Sequence, residues 1–398
     1  MNRKASAAAA RATDLKDHGI AVTTGWCRPM ISWRDASNGR DYLYGGIFCS
    51  SCLIVQLDVA TGRCRSFPLP KSAGWPWGLA FTMEGHLLAG CSSGSIFRLD
   101  PRTGALRLAA NTGHWIWSID RGADGRFYVG TSGECRLFRY DAATDKLEDL
   151  GRLDPKQKYL NPVLDGNDGF VYGGIGVTAS QAVAYHIATG RIRRLLPESG
   201  CQPDSLLLGR GQDGNLYARR ASGRVYRLAH GAAFPDKTFT RPSRRESEIA
   251  WGKTMQATLP DGKVYRYVDP EIVRIGDGPG ARQFPLKYRT TGVDIYHLAE
   301  GPNHAVYAST IMPLYLLRYT PATRKLENLG RGGPDNGEAY SFGHCRGKLY
   351  YGTYSQGLLM QYDPARPIRQ DPTWRHNPRL FAPLGKGHGR PRAMCVDP

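Results

Sequence analysis

The chain has 398 residues, of which 41% are hydrophobic and 22% charged, and it carries a formal net charge of +18. No apolar run approaches the roughly 18 residues of a membrane-spanning helix, so no contact with a membrane is predicted. The alanine-rich start lacks the Leu-, Ile- or Val-rich core of a secretory signal. The sequence as given therefore leaves the compartment open, either the cytoplasm or export from a longer precursor.

The net positive charge has two interpretations. A positive channel would concentrate a polyanion, whereas Lys and Arg spread along the chain also describe an ordinary solvated surface. Nucleic acid is weakly supported, because the sequence has no basic helix, no RNP-type aromatic strand and no zinc finger. A protein partner remains possible.

Nine cysteines are an odd number, so at least one is unpaired within the chain. Cys49 and Cys52 have CxxC spacing, but a structural zinc site needs four ligands and no second pair accompanies them. Loop residues of a reduced protein explain them better. We predict no metal and no cofactor.

A repeat of 40 to 48 residues organises the chain. Short runs of alternating residues are separated by Gly and Asp turns, the pattern of antiparallel hairpins. Two features mark the repeat. One is Asp followed by a Thr-Gly corner, which ends many third strands, as in 58–62 and 100–104. The other is one aromatic or aliphatic residue in each predicted second strand: Tyr44, Leu88, Tyr128, Tyr172, Tyr217, Tyr265, Tyr307 and Tyr350.

This period is that of four-stranded propeller blades. We predict an all-β fold, a β-propeller of four-stranded antiparallel blades, with eight blades favoured. Seven remain possible if the irregular region 202–288 yields only one blade. Residues 1–12 are predicted to be an N-terminal tail and residues 13–398 a single propeller domain. Asp14 to Val22 resembles the fourth strands and is predicted to pair as an outer strand near the C-terminal unit, and the last ten residues resemble one more first strand.

In a propeller the entry loops of the first strands converge on one rim, so function is expected there. These positions hold polar and aromatic residues that a purely structural channel does not require. The candidate catalytic residues are His114, Tyr296 and His344. The candidate substrate-binding residues are Arg28, Trp75, Trp115, Asn161, His297, Tyr340 and Arg392.

Several of these aromatic and histidine positions also have structural explanations. Trp77 and Trp117 occupy equivalent repeat positions and favour packing between blades, whereas Trp75 and Trp115 have the opposite parity and suit stacking on a sugar. His297 and His344 could equally be core histidines. His186 stands where other units have Asp and is interpreted as structural. Paired carboxylates are missing from equivalent rim positions, since Asp204 is almost alone, which argues against a two-carboxylate glycosidase.

The segments LFRYDAATDKLEDLGR (137–152) and DGFVYGG (168–174) resemble repeats of the propeller carbohydrate lyases, which act on oligogalacturonate, ulvan and rhamnose–glucuronate linkages. Streptogramin B lyase shares part of this scaffold pattern. The resemblance implies a uronic-acid substrate whose carboxylate is neutralised by Arg or a metal. The metal-binding histidine pattern of the oligogalacturonate lyases is not evident, so no metal is carried over.

The resemblance and the rim residues together favour an enzyme, a lyase that eliminates at a uronic-acid residue of an acidic saccharide. Such a reaction needs a cation for the carboxylate, a base and an acid. His114 is the preferred proton-transfer residue, Tyr296 the acid partner, and Arg392 or Arg28 the carboxylate ligand. His114, Tyr296, His344 and Arg392 are predicted to surround one solvent-open pocket at the channel mouth. The alternative is a non-catalytic propeller that binds a protein or polyanion at its rim.

Overall fold

The computed structural model describes residues 16–176, 178–199, 201–202, 206–236, 249–251, 256–259, 261–269, 271–276, 278–334, 337–371, 373–385 and 389–395. Within these ranges the regular structure is β-strand, apart from three single-turn 3-10 helices at Lys71–Ala73, Gly278–Gly280 and Pro302–His304. None of the helices in the described residues has the length and apolar character needed to cross a bilayer. Asp204 lies within residues 203–205, which are outside the described part of the chain.

The strands form eight antiparallel sheets whose strands lie side by side in chain order, except that the last strand of the fifth sheet lies beside its first. Each sheet has the four strands expected of a propeller blade, and the fifth sheet has one more. Sheet one holds β1 Trp26–Asp35, β2 Arg40–Phe48, β3 Leu53–Asp58 and β4 Cys64–Pro68. Sheet two holds β5 Pro76–Phe81, β6 Leu87–Cys91, β7 Ser95–Leu99 and β8 Leu106–Asn111. Sheet three holds β9 Ile116–Arg121, β10 Phe127–Thr131, β11 Arg136–Asp141 and β12 Lys146–Arg152. Sheet four holds β13 Tyr159–Asp165, β14 Phe170–Gly176, β15 Gln181–His186 and β16 Ile192–Arg194.

The irregular part of the repeat also yields two sheets, which decides between eight blades and seven. Sheet five holds β17 Leu206–Gly211, β18 Leu216–Arg220, β19 Val225–Ala229, β20 Ala232–Pro235 and the extra strand β21 Ile249–Trp251, which pairs with β17. Sheet six holds β22 Gln256–Thr258, β23 Val264–Asp269, β24 Ile272–Ile275 and β25 Arg282–Pro285. Sheet seven holds β26 Ile295–Glu300, β27 Val306–Thr310, β28 Tyr315–Thr320 and β29 Lys325–Arg331. Sheet eight holds β30 Ala339–Cys345, β31 Lys348–Thr353, β32 Leu358–Tyr362 and β33 Arg379–Pro383. The predicted all-β fold of eight propeller blades is confirmed.

The chain divides into two compact units, Thr24–Thr290 with sheets one to six, and Thr291–Pro398 together with the residues before Thr24. In the first unit β22 lies beside β1, so sheet six is a neighbour of sheet one. Tyr288 Oη donates to the carbonyl oxygen of Gly25 at 2.9 Å, and Thr24 Oγ1 donates to Glu271 Oε1 at 2.6 Å. The six sheets thus form a closed circle of neighbours. The single domain predicted for 13–398 stays a prediction.

Local hydrogen bonds explain why the repeat selects its second-strand tyrosines. Tyr128, Tyr172 and Tyr217 are almost fully buried in the middle of their sheets. Their hydroxyls donate to the aspartate four residues earlier in the preceding turn, at 3.2, 2.7 and 2.6 Å. A buried phenol needs such a partner, so the Asp-Gly turn and the tyrosine are selected together.

Close approach between neighbouring sheets depends on a glycine two residues after this position. A Cβ on Gly130 would lie 2.4 Å from the carbonyl oxygen of Leu160 in sheet four, and one on Gly46 would lie 2.9 Å from that of Pro76 in sheet two. Glycine is required here because the next first strand occupies the space of a side chain. In sheet eight the same place beside Gly352 is taken by Pro391, whose carbonyl accepts a 2.8 Å hydrogen bond from Ser341 Oγ. Pro391 therefore lies where one more first strand would pass, although residues 391–395 form no strand.

The predicted outer strand at Asp14 to Val22 is wrong in its pairing. Residues 16–22 form no strand, and residues 14 and 15 lie outside the described part of the chain. Val22 instead packs on Ala308 and Leu317, which belong to the two middle strands of sheet seven. The segment lies on the face of that sheet because β29 already occupies its outer edge.

Candidate functional site

Aromatic residues gather at the entry ends of the first strands of sheets one to four. We call this set the Trp–Arg cluster: Trp26, Arg28, Phe48, Trp75, Trp77, Trp115, Trp117 and Tyr159. They belong to, or directly precede, β1, β5, β9 and β13, except for Phe48 at the end of β2. Ring contacts join the entry ends of these four neighbouring sheets.

The rings of the Trp–Arg cluster are in continuous contact across four sheets. Trp75 stacks on Phe48 with ring centres 5.7 Å apart and planes 8° apart, and its edge meets Trp115 at 6.0 Å. Trp77 stacks on Trp117 at 5.5 Å, and Trp117 stacks on Tyr159 at 4.4 Å. Offset stacks and edge contacts of this kind are the favoured aromatic geometries, so the cluster is a rigid surface.

Arg28 is the one cation in this surface. Its guanidinium carbon lies 5.4 Å from the ring centre of Trp26 and 5.5 Å from that of Trp77, within cation–π range. Burial lowers the pKa of Arg28, the sign of a charge removed from water. No carboxylate of the described residues pairs with it, and no hydrogen bond of its guanidinium is found among them. A desolvated cation without a counter-ion favours the binding of an anion.

Unpaired donors accompany this cation. The indole Nε1 atoms of Trp26, Trp77, Trp115 and Trp117 are buried and have no hydrogen-bond partner among the described residues. Buried indole N–H groups normally find an acceptor, and leaving one unpaired costs roughly 1–3 kcal/mol. Among the described residues, these four groups leave the cluster with hydrogen-bond donors that have no acceptor.

The structure brings together three of the predicted site residues, Arg28, Trp75 and Trp115, and joins Trp77 and Trp117 to them. The alternation of side chains along a strand predicted that Trp77 and Trp117 would point to the opposite side from Trp75 and Trp115. The register of β5 against β6 shifts between Pro76 and Gly78, and that of β9 shifts between Ile116 and Ser118. These bulges break the strict alternation of sides, so all four indoles reach one cluster. The predicted packing of Trp77 on Trp117 between sheets is confirmed.

Two other predicted residues of this unit are placed differently. Asn161 is half-buried on β13, two residues beyond Tyr159. His114 directly precedes Trp115, but its ring lies 6.0 Å from that of Phe138, on the third strand of sheet three. The imidazole is therefore not part of the Trp–Arg cluster, whereas Tyr159 joins it through its stack on Trp117.

In the unit that contains Thr291–Pro398, a second group surrounds a buried carboxyl. We call it the Glu338 cluster: Tyr296, Glu338, Tyr340, Tyr354 and Arg390. The rings of Tyr296 and Tyr340 meet edge to face at 5.1 Å, and the guanidinium of Arg390 lies 5.0 Å from the ring centre of Tyr354. The predicted pair Tyr296 and Tyr340 is thus brought together, and sequence reasoning missed Glu338, two residues before Tyr340.

The other predicted residues of this unit lie apart from the Glu338 cluster. The ring of His297 packs at 5.4 Å on Phe342, as a structural histidine would. His344 is exposed near the far end of β30, so the expectation that it stands at the start of a first strand is wrong. Four residues of extended chain separate it from Tyr340, roughly 13 Å. Arg392 is exposed, three residues before the C-terminal end of the described chain.

Two carboxylates do occur at equivalent repeat positions, but near the far ends of the first strands and not at the entry rim, where the sequence showed none. Asp120, Asp165 and Arg210 stand at steps of 45 residues near the far ends of β9, β13 and β17. They line a cavity of about 410 Å³ that Trp33 and Phe81 also border. The 45-residue spacing of Asp120, Asp165 and Arg210 is the sequence signal for this set.

The structural interpretation of His186 is confirmed, because its Nδ1 lies 2.7 Å from Thr189 Oγ1 within the same turn. All nine cysteines are free thiols, and both Cys49 and Cys52 direct their sulfur atoms to backbone carbonyls of the same turn. Among the described residues no three His, Cys, Asp or Glu side chains are arranged to hold a metal ion.

Comparison with known proteins gives similarities to solved structures of β-propeller proteins at low sequence identity. No protein-family model and no curated protein matches the chain. A structure of streptogramin B lyase matches at 11% identity with a TM-score of 0.37, over 69% of this chain and 89% of that one. Virginiamycin B lyase from Staphylococcus aureus matches at 12% identity and 0.37, over 70% and 92%. A nidogen/laminin complex matches at 13% identity and 0.37, over 72% and 90%. At these values the matches carry no argument about activity, and the relationship to the carbohydrate lyases remains an expectation.

Proposed function

We propose that this protein is carbohydrate-active and binds a saccharide containing uronic acid at the Trp–Arg cluster. The observation that carries the proposal is Arg28, a desolvated guanidinium without a carboxylate partner among the described residues, held between Trp26 and Trp77. A uronate carboxylate is the planar anion that a guanidinium fork binds through two parallel hydrogen bonds.

The surroundings of Arg28 support a sugar rather than a simple anion. Trp75 and Trp115 are half-buried and present indole surface, on which the apolar C–H face of a pyranose can pack. The unpaired indole N–H groups offer donors for hydroxyl and ring oxygens. The net charge of +18 adds a long-range attraction for an acidic polymer, and this attraction weakens as salt is added.

The finer proposal is that the protein is a lyase, with its chemistry at the Glu338 cluster. Elimination at a uronic acid requires a cation beside the carboxylate and groups that move a proton. That cluster contains the cation Arg390, the phenols Tyr296 and Tyr340, and the carboxyl of Glu338. Each cluster is proposed to contact the same class of saccharide.

A second candidate function, non-catalytic binding of an acidic polymer, is favoured by one observation. Within the described residues, no Asp, Glu or His side chain makes a hydrogen bond, ion pair or ring contact with the Trp–Arg cluster. That surface alone can bind but has few groups for general acid–base chemistry.

The test compares Arg28→Lys with Arg65→Lys. Arg65 is a matched control because it also lies over an aromatic ring, that of Phe67 at 5.0 Å, outside the cluster. Titration of uronic-acid oligosaccharides, followed by tryptophan fluorescence, should show affinity at least about tenfold weaker for Arg28→Lys and unchanged for Arg65→Lys. His114→Ala should bind like the native protein, because its ring lies on Phe138.

Equal affinities of the two arginine variants, or equal binding of matched neutral oligosaccharides, would contradict the binding proposal. Lyase activity is measured separately, by the ultraviolet absorbance of the unsaturated uronate product over a panel of acidic glycans. Binding without any product would favour the non-catalytic function.

A further inference from the structure

The cavity of about 410 Å³ lies at the far ends of the first strands, away from the Trp–Arg cluster. Its size is within the range of small-molecule sites, roughly 300–1,000 Å³. On β9, Trp117 of the cluster and Asp120 of the cavity are three residues apart, about 10 Å of extended chain. Five consecutive sheets line the cavity with residues from the last three positions of their first strands: Trp33, Phe81, Asp120, Asp165 and Arg210.

Trp33 supplies a flat apolar wall to this cavity. Its ring stacks on that of Phe81, with ring centres 4.6 Å apart and planes 18° apart. Phe81 is buried, whereas Trp33 is only partly buried. The stack therefore holds the indole in place and leaves part of its surface to the cavity. Such a surface can pack against another ring with an apolar face.

Asp120 places a carboxylate oxygen in the cavity. Its Oδ2 atom accepts hydrogen bonds from Arg210 Nη2 and from the amide of Asp165, both at 2.9 Å. Its Oδ1 atom has no hydrogen-bond partner among the described residues, and 27% of the side chain is exposed. Burial nevertheless raises the pKa of Asp120, because the carboxyl lies deep in the protein and meets solvent through the cavity. The Oδ1 atom is thus an acceptor that a ligand in the cavity can reach.

Arg210 places hydrogen-bond donors beside this acceptor. Its Nη2 atom is engaged by Asp120 and by the carbonyl oxygen of Asp165, the latter at 2.8 Å. The side chain is 37% exposed, and no described residue accepts a hydrogen bond from its Nε or Nη1 atom. A hydroxyl group both donates and accepts, so it can donate to the carboxylate and accept from the guanidinium. Neighbouring hydroxyls of one ring therefore suit this pair.

The formal charges of the cavity wall cancel. Among the described residues, those that line it with a charged side chain are Asp120, Asp165, Arg121 and Arg210, two of each sign. The carboxylate of Asp165 is buried and accepts hydrogen bonds from the amides of Ala123 at 2.9 Å and Asn167 at 3.2 Å. A charged ligand would lose its hydration here, while the main charges of the wall are already paired with each other. The cavity therefore favours a neutral polar ligand.

We propose that this cavity is a second ligand site, which binds a neutral ring rich in hydroxyl groups, such as a pyranose. The C–H face of the ring packs on Trp33, one hydroxyl donates to Asp120 Oδ1, and a hydroxyl oxygen accepts from Arg210. The site goes beyond the uronic-acid function proposed above and does not depend on it. The two sites take different ligands because Arg28 has no carboxylate partner among the described residues, whereas Arg210 is paired with Asp120.

Calorimetric titration of the full chain with the neutral methyl glycosides of glucose, galactose and mannose tests the site. The native protein should bind at least one of them, at one site per chain. Asp120→Asn removes the charged acceptor and Trp33→Leu removes the flat wall, so each should weaken this binding at least about tenfold. Asp149→Asn is the matched control and should bind like the native protein. Asp149 also pairs with an arginine, Arg136 at 2.6 Å, but it lies on β12 and does not line the cavity.

A measurement on the native protein covers the case in which a variant fails to fold, which thermal unfolding reveals. The indole N–H resonance of Trp33 is identified by its absence from the spectrum of Trp33→Phe, which keeps an aromatic ring beside Phe81. This resonance should shift as the bound glycoside is added. The resonance of Trp374, which does not line the cavity, should stay in place.

Three results would overturn the site. The first is that none of the neutral glycosides binds at millimolar concentration. The second is that Asp120→Asn binds the glycoside as tightly as Asp149→Asn, or that the Trp33 resonance does not respond to it. The third is that methyl glucuronoside or the zwitterion of free phenylalanine shifts the Trp33 resonance at lower concentration than every neutral glycoside. Binding of uronic acid at the Trp–Arg cluster is decided separately, by Arg28→Lys.

Discussion

Arg210 Nη2 on β17 donates to Asp120 Oδ2 on β9 at 2.9 Å, although 90 residues separate the two in the chain. The same nitrogen donates to the carbonyl oxygen of Asp165 at 2.8 Å, and the amide of Asp165 donates to Asp120 Oδ2 at 2.9 Å. Three first strands are thereby linked at the far end of the sheets. This link lies in the same circle of six sheets as the Trp–Arg cluster and stabilises the strands that carry it.

Replacing Arg210 by Met should lower the free energy of unfolding by about 1–3 kcal/mol, because Asp120 loses its charged partner. This decrease in the free energy of unfolding should be smaller at acidic pH. Burial raises the pKa of Asp120 in spite of Arg210, so its folded pKa lies above the unfolded value and its ionisation costs stability as pH rises through this interval. Urea unfolding at neutral and acidic pH measures both effects. Arg102→Met, which breaks an exposed pair with Asp100 at 3.3 Å and a long, exposed hydrogen bond to the carbonyl oxygen of Glu84 at 3.4 Å, serves as the control and should change stability by less than about 0.5 kcal/mol. An equal loss in both variants would contradict the link.

Asp154 should show the opposite pH dependence. Its carboxylate is buried, accepts hydrogen bonds from the amides of Lys156 at 2.8 Å and Gln157 at 2.9 Å, and pairs with Arg194. Burial alone would raise the pKa of Asp154, but these donors outweigh it and the pKa is lowered. A folded pKa below the unfolded one adds stability above the unfolded value, and that stability is lost as pH falls through the folded pKa.

Asp154→Asn should therefore destabilise the protein by about 1–3 kcal/mol at neutral pH and by much less at a pH below the aspartate range. Chemical denaturation of both proteins across this range gives the comparison. A difference between the native protein and Asp154→Asn that stays constant with pH would show that the charge of Asp154 contributes nothing.

Replacing Gly130 by alanine tests whether sheets three and four must approach each other as closely as they do in the structure. An alanine Cβ at this position would lie 2.4 Å from the carbonyl oxygen of Leu160, and a backbone atom cannot move aside cheaply. Gly130→Ala should cost about 1–3 kcal/mol, the usual penalty of overpacking. Gly280→Ala is the matched control, since no heavy atom lies within 4 Å of its added Cβ. Equal unfolding midpoints of the two variants would show that the sheets can separate without loss.

The fold followed from local features of the chain. The Asp-Gly turns at Asp124, Asp168 and Asp213 each supply the acceptor for a tyrosine four residues later, so these hairpins and their buried rings depend on neighbours in sequence. Repetition of this unit at one period predicted the all-β propeller fold and its eight blades. The entry rim was also predictable in part, because Arg28, Trp75 and Trp115 all precede or begin a first strand.

Tertiary structure decided which of these residues meet. Bulges at the entry of β5 and β9 brought Trp77 and Trp117 to the side of Trp75 and Trp115, against the alternation that their spacing implied. The start of β30 at Ala339 placed His344 at the wrong end of its strand, and packing on Phe138 turned His114 away from the cluster. Asp120 and Arg210 meet only because sheets three and five bring distant strands to one cavity. Contacts of this kind depend on register and on the approach of whole sheets, which a period in the sequence does not contain.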